Sequence, residues 1–449
     1  MKKLLLHIRA SLDEKQLKVL YRTSYNKIII LTHNTIESPI LENQKRIQVI
    51  PCKNNQDIYA NIDTAIDKFS KKYMILPHSI GDDLSKFSIY TYNKIFGSEV
   101  DPELFTQKAK MNKFLDGISD KDSQTLNYSE LLKTPYETLQ KRFGDMFILK
   151  PTNAVASVLN FKITSKDSYE KAVEKCTQKY EYIIEEYMTG NLYALDFFFD
   201  SEKPFLLCYT REMTFSEIMK KLSKDYIEKY GLSIHENYMH FLPVQYTLDI
   251  NKLPKLVKEY LLKVSEKLKS ISYRGLVHLE YKYDKKNSKI GFIEWGARNG
   301  GYRNIFLRKM HHMPSEQLPY EIIGEENYGH FKEKEGIYYL SGRDYDKNYV
   351  YMKTNPLETT NIVQILQKQP NFLNKSFEGF IKQKFWDTWK IRVNSIEFQL
   401  KTDKNFNISP FYLSNESKFI FVLELDEENF TIFRKNKYPV IETFIFYDY

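Results

Sequence analysis

Short apolar runs alternate with helix-period stretches through the first hundred residues. Residues 4–8, 27–31, 47–51 and 73–76 are strand-like runs. Between the later two, Ile58, Ile62, Ile66 and Phe69 recur at helical spacing within residues 57–69. Strands alternating with helices predict an open α/β domain with a parallel sheet over residues 1–100. From there the pattern changes. Asp101-Pro102 opens a predicted helix that runs to residue 115 and stops at Gly117. A strand at 146–150 ends in Lys150-Pro151, and the small-residue loop P-T-N-A-V-A-S-V follows. Then come a strand at 160–164, a helix at 167–179 and the strand E-Y-I-I-E-E-Y-M at 181–188, closed by Thr189-Gly190.

Strands are expected next at 193–200 and 204–211, then a Lys-rich helix at 215–230. The helix at 253–271 carries Leu256, Val257, Tyr260, Leu261, Val264 and Leu268 on one face, a core stripe. Residues 331–449 read as a small β-rich domain with strands at 336–340, 349–353, 391–400 and 418–425, and loops at 401–407 and Pro410.

The most informative stretch is residues 273–303. Residues 276–283 alternate, with His278, Glu280 and Lys282 on the face opposite Val277, Leu279 and Tyr281. Residues 290–295 form a second strand, with Ile290, Phe292 and Glu294 expected on one face. A turn centred on Asn287 sets Glu280 opposite Glu294. Facing like charges are unfavourable and ask for a cation. Two carboxylates offer hard oxygen ligands of the kind Mg²⁺ takes together with water and phosphate. Arg298 and Asn-Gly-Gly follow directly, a cation and open backbone suited to a phosphate. Taken alone, the same residues also read as a solvent-exposed hairpin.

Bulk numbers narrow the classes. The chain has 449 residues, enough for several domains, and 34 Tyr and 30 Phe to fill their cores. Its net charge of +8 comes from 66 basic and 58 acidic residues that are interspersed. That favours anionic small molecules over a dedicated nucleic-acid partner. Cys52, Cys176 and Cys208 lack metal-ligand spacing and read as reduced core residues of a cytoplasmic protein. The apolar run at residues 1–10 is too short for a signal peptide, and no stretch approaches the ~20 apolar residues of a membrane span. G-x-G-x-x-G and Walker A motifs are absent. His235 and His240 are five apart, about 140° around a helix, and do not make a zinc helix.

In order, the chain has a lysine-bearing helix, a strand ending Lys-Pro, a small-residue loop, a helix, E-E-Y-M-T-G, the facing glutamates and R-N-G-G. This set resembles the ATP-grasp superfamily over residues 100–320, and the layout looks most like its carboxylate–amine ligases. The resemblance implies an N-terminal open α/β domain (1–100), a two-lobed α+β core (101–188 and 189–330) and a β-rich C-terminal domain (331–449). It implies ATP and Mg²⁺ (or Mn²⁺). Lys108 or Lys113, with Lys150, would hold phosphates, and Ser157 would lie in the loop over them. Glu185, Glu186, Tyr187 and Met188 would form the hinge against adenine. Glu280, Glu294 and Asn299 would hold the metal, and Arg298 with Lys150 would stabilise the transferring phosphoryl group. His278, Arg211 and Arg303 are candidate substrate contacts. Asp196, inside an apolar strand, reads equally as a structural carboxylate or a substrate contact.

Three features depart from the family pattern. Ala154, Val155 and Ala156 replace loop glycines, Leu192 stands where a ribose-contacting glutamate is usual, and Gly296 replaces an asparagine beside the metal. The implied reaction phosphorylates a carboxylate and lets an amine displace phosphate, forming an amide or peptide bond. The expected partners are a small carboxylate and an amine, such as amino acids or a peptide, with no nucleic acid and no membrane; a homodimer is compatible. Two alternatives stand: another acceptor, as in carboxylase subunits or purine-pathway enzymes, and a nucleotide-binding regulator without turnover.

Overall fold

The computed structural model describes residues 2–42, 45–153, 159–221, 224–230, 233–234, 244–300, 303–322, 336–343, 350–351, 379, 382–383, 385–387, 390–400 and 419–435. Two compact units are interleaved along the chain. The first takes residues 1–126, 183–209 and 250–333, and the second 127–182, 210–249 and 334–449.

The first unit opens with β1 (Lys2–Arg9), β2 (Lys27–Thr32), β3 (Ile47–Pro51) and β4 (Tyr73–Ser79). They form a parallel sheet in the order β3-β2-β1-β4. Strand period two feeds two cores. Leu4, Leu6 and Ile8 pack with Ile58, Ile62 and Phe87 on one side, and Leu5 packs with Leu17, Leu20 and Ile28 on the other. The expected parallel α/β unit is therefore present.

The later strands are β5 (Ser123–Leu126), β6 (Phe147–Pro151), β7 (Phe161–Ile163), β8 (Tyr182–Glu186), β9 (Asn191–Phe199), β10 (Pro204–Met213), β11 (Ser233–Ile234), β12 (Val244–Thr247), β13 (Gly275–Asp284), β14 (Lys289–Gly296), β15 (Ile337–Arg343), β16 (Val350–Tyr351), β17 (Ser395–Leu400) and β18 (Phe419–Asp426). In the first unit, β14, β13, β9 and the start of β10 lie side by side in that order, with β13 antiparallel to both its neighbours. Helix Lys255–Ser270 buries Val257, Tyr260, Leu261, Val264 and Leu268, as its periodicity predicts.

The helix expected over 101–115 is two pieces, a 3₁₀ turn Pro102–Phe105 and a helix Lys108–Phe114. The indole of Trp295 donates to the Leu104 carbonyl, the acceptor that the Lys108 N–H would use in a continuous helix. Phe105 is buried and stacks on Tyr273 and Trp295 with centroids 4.6 and 5.0 Å apart.

In the second unit β6 and β7 form an antiparallel pair, packed through Phe147 onto Tyr136, Phe143 and Tyr169. Helix Lys166–Lys175 ends four residues before the expected 179. The Thr177 N–H donates to the Tyr182 hydroxyl at 2.7 Å instead of continuing the helix ladder. The helix expected over 215–230 is described as two, Phe215–Lys221 and Lys224–Tyr230. Residues 210–213 of β10 pair with β12, which pairs with β15, then β18 and β17, all antiparallel. Phe430, on helix Glu427–Lys435, stacks on Tyr338 with centroids 4.0 Å apart. Among the described residues no helix is long and apolar enough to cross a membrane.

Candidate functional site

Strands β13 and β14 form the hairpin read from the sequence. Its register sets His278 opposite Gly296, Leu279 opposite Trp295 and Glu280 opposite Glu294. Asp284 closes the turn by accepting from the Lys286 and Asn287 amides at 3.0 and 3.1 Å. Beyond Glu280 the register shifts, so Tyr281 faces Phe292 and Ile293 is the extra residue of a β-bulge. This corrects the strict alternation expected from Ile290 through Phe292 to Glu294: the bulge interrupts it just before the second glutamate.

Each carboxylate is held by a cation. Glu280 Oε1 lies 2.9 Å from His278 Nε2, and Glu294 Oε2 lies 3.3 Å from the Lys108 ammonium. Behind them is Asp196, fully buried on β9 directly opposite His278. One Asp196 oxygen accepts from His278 Nδ1 at 3.1 Å and from the Gly300 N–H at 2.7 Å; the other accepts from Arg303 Nε at 3.1 Å. Burial pushes the His278 imidazole down, but Asp196 and Glu280 together outweigh it and raise its pKa to about 10. Burial likewise pushes the Asp196 carboxyl up, and the His278 charge, Arg303 and the Gly300 N–H outweigh it, holding the carboxyl below its ordinary range. The imidazolium therefore donates from both nitrogens, to one carboxylate on each side.

Gly300 makes this possible. A Cβ there would lie 2.4 Å from His278 Cε1 and 2.9 Å from Arg303 Cγ. Gly300→Ala should displace the imidazole and lower the thermal midpoint by an amount equivalent to about 1–3 kcal/mol, the usual cost of overpacking. An unchanged midpoint would contradict the tight packing. In the same loop, Arg298 donates to the Asn299 carbonyl at 2.9 Å.

The segment after β8 is pinned to this hairpin. The Lys282 ammonium donates to the Met188 carbonyl at 2.9 Å and sits 4.6 Å from the Tyr187 ring centroid. Thr189 donates to Asp284. Gly190 has φ +91°, and a Cβ there would meet the Tyr283 carbonyl at 2.5 Å, so only glycine allows this approach. Within β8, Glu185 Oε1 is 2.9 Å from the Lys121 ammonium and accepts from Asn112 at 3.0 Å, while the Glu186 N–H donates to the Asp122 carbonyl. Residues 119–122 also line β14: Ser119 Oγ accepts from the Phe292 N–H, and Asp120 exchanges bonds with Ile290.

Of the sequence-derived residues, the first unit brings together Lys108, His278, Glu280, Glu294, Arg298, Asn299 and Arg303, with Glu185, Glu186, Tyr187 and Met188 fixed to the same hairpin. Lys113 is exposed on helix Lys108–Phe114. Arg303 is buried against Asp196. Lys150 and Arg211 belong to the second unit. There Lys150 is buried near the end of β6, and Arg211 is buried and paired with Glu217. Ser157 and the loop at 154–158 lie outside the described residues, as does the stretch from His235 to His240. The donor set suits a hard divalent cation: two opposed carboxylates, each already facing a positive charge, with an asparagine in the following loop.

No protein-family model matches the sequence, and no curated protein matches it. Solved structures do match. An L-amino acid ligase from Bacillus licheniformis is similar over 100% of both chains, with a TM-score of 0.60 and 13% identity. An N5-carboxyaminoimidazole ribonucleotide synthetase, solved as its ADP complex, is similar over 97% of this chain and 96% of its own, with a TM-score of 0.60 and 9% identity. The biotin carboxylase domain of a Hydrogenobacter thermophilus 2-oxoglutarate carboxylase, solved with MgADP and bicarbonate, covers 98% of this chain and 89% of its own, with a TM-score of 0.54 and 13% identity. The chain has the ATP-grasp fold.

Within this ATP-grasp fold, three residues of the hairpin network were underweighted or missed in the sequence. Asp196 carried no signal for its three bonds beyond a charge inside an apolar strand. Lys282 was legible, since it repeats the His278 and Glu280 spacing on one face of β13. Lys121 sits in the polar run G-I-S-D-K-D-S, which reads as a loop and gives no hint of a buried ion pair.

Proposed function

We propose that the protein is an ATP-dependent carboxylate–amine ligase that forms an amide or peptide bond through an acyl phosphate. The observation that carries this reading is the register of Glu280 against Glu294 on a hairpin to which the segment at 185–190 is fixed. In it, Glu280, Glu294 and Asn299 would hold Mg²⁺, which would supply positive charge to the nucleotide phosphates. Glu185 to Met188 hold the base, and Lys108 exchanges its contact with Glu294 for phosphate oxygens. Lys150 keeps the phosphate role that the family resemblance gives it. Arg298 faces the charge that develops as the γ-phosphoryl group passes to the substrate carboxylate. The amine then attacks the acyl carbon, the C–O bond to phosphate breaks, and phosphate leaves. Such chemistry needs positioned charges rather than a side-chain nucleophile. His278 and Arg303, held by Asp196, orient the site rather than touch substrate.

The L-amino acid ligase among the structural neighbours supports amino acids as the substrate class. The test is to incubate the protein with ATP, Mg²⁺ and a panel of amino acids, and to follow ADP, phosphate and the condensed product by mass spectrometry. ADP release that needs both a carboxylate and an amine is expected. Release that needs bicarbonate instead would assign another acceptor, and nucleotide binding without substrate-dependent ADP would refute the ligase.

A further inference from the structure

We infer that Asp196 is a positioning residue that sets the metal carboxylate and the Arg298 loop in register with each other. The inference rests on the nucleotide–metal reading above and adds a residue that the reading does not require. Asp196 is fully buried on β9, yet its carboxylate reaches two separate parts of the site. One arm runs through His278, 3.1 Å away, whose other ring nitrogen lies 2.9 Å from Glu280 Oε1. That contact fixes one oxygen of Glu280 and so orients the carboxylate. The second arm runs to the Gly300 N–H at 2.7 Å and Arg303 Nε at 3.1 Å. These contacts grip the backbone directly after Arg298 and Asn299, and anchor the start of helix Arg303–His311. The arms leave from one side chain, so loss of Asp196 frees the carboxylate and the loop together.

Three donors converge on this group, which only a carboxylate satisfies. Asparagine has the same shape but one acceptor oxygen, and its amide would point a donor at Arg303 or at the His278 and Gly300 pair. Groups hydrogen-bonded to a metal ligand, the place His278 takes beside Glu280, change metal affinity by about 10–100-fold when removed, and Asp196 holds His278 there.

The experiment measures Mn²⁺ binding in the presence of ADP, from the loss of the free-Mn²⁺ electron paramagnetic resonance signal, beside hydrogen–deuterium exchange at the Gly300 amide. Asp196→Asn should weaken Mn²⁺ binding about 10–100-fold and speed Gly300 exchange. His278→Gln, which leaves the loop arm in place, should weaken Mn²⁺ binding and leave Gly300 exchange slow. Arg303→Lys should speed exchange and weaken Mn²⁺ binding less than His278→Gln does. Should Asp196→Asn fail to fold, the two single-arm variants decide the point. Equal Mn²⁺ affinity in wild type and His278→Gln overturns the metal arm, and unchanged exchange in Arg303→Lys overturns the loop arm. Wild-type protein that takes up no Mn²⁺ with ADP overturns the nucleotide reading and this inference together.

Discussion

In Glu294→Gln protein, ATP-dependent ADP release is expected to fall by about a hundred- to a thousandfold. A metal that polarises phosphoryl oxygens supplies several kcal/mol of transition-state stabilisation, and each ~1.4 kcal/mol is a factor of ten in rate. The amide keeps the shape of the side chain but removes the negative charge opposite Glu280 that the proposed cation site requires. Thermal stability should barely move, because the Glu294 side chain is 36% exposed and its ion pair with Lys108 is a long one at 3.3 Å. The loss should appear as a higher Mg²⁺ requirement together with a lower maximal rate. A variant with near-normal turnover would remove Glu294 from the metal site.

Lys121→Met should produce the largest loss of stability, equivalent to about 3–5 kcal/mol, because it strands the Glu185 carboxylate without its cation. The pair is almost fully enclosed, with side-chain exposures of 1% and 3% and a 2.9 Å contact. Asn112 still donates to Glu185, but a neutral amide offsets only part of a buried charge. Adding Glu185→Gln should recover most of the loss, since an uncharged Gln keeps an acceptor for Asn112 and leaves no orphaned charge. Thermal midpoints of the two single variants and the double variant give the coupling. Additive effects would show that the pair does not act as a unit.

Much of the architecture follows from patterns that local physics enforces. The continuous apolar run of β1 feeds a core on each face, as a parallel sheet covered on both sides demands. The turn that Asp284 and Asn287 build places the two strands side by side, but its own register, Asp284 opposite Lys289, is one residue short of setting Glu280 opposite Glu294; the bulge at Ile293 supplies that residue. Most of what escaped the sequence was decided at long range. The helix expected to run through 108 is broken where the Trp295 indole, 191 positions away, takes the Leu104 carbonyl; the helix from 166 stops early for a local reason, the Tyr182 hydroxyl five residues on taking the Thr177 N–H. The bulge at Ile293 had one local signal, Gly291 two residues earlier inside β14, a glycine where a regular strand has no need of one. Asp196 and Lys121 were the least legible. A buried charge is explained only by the partners it meets, and those partners, Gly300, Arg303 and Glu185, are separated from them by 104, 107 and 64 positions respectively.

The proposed function makes the β13–β14 hairpin the place where a divalent cation meets nucleotide phosphate. It is tested most directly by crystals grown with Mn²⁺ and a non-hydrolysable ATP analogue, with diffraction collected at the manganese absorption edge. Anomalous density is expected between the Glu280 and Glu294 carboxylates, with the base against residues 185–188 and the Lys108 ammonium turned toward phosphate. Manganese and nucleotide bound away from Glu280 and Glu294, or a nucleotide seated without metal while Lys108 keeps its contact with Glu294, would contradict it.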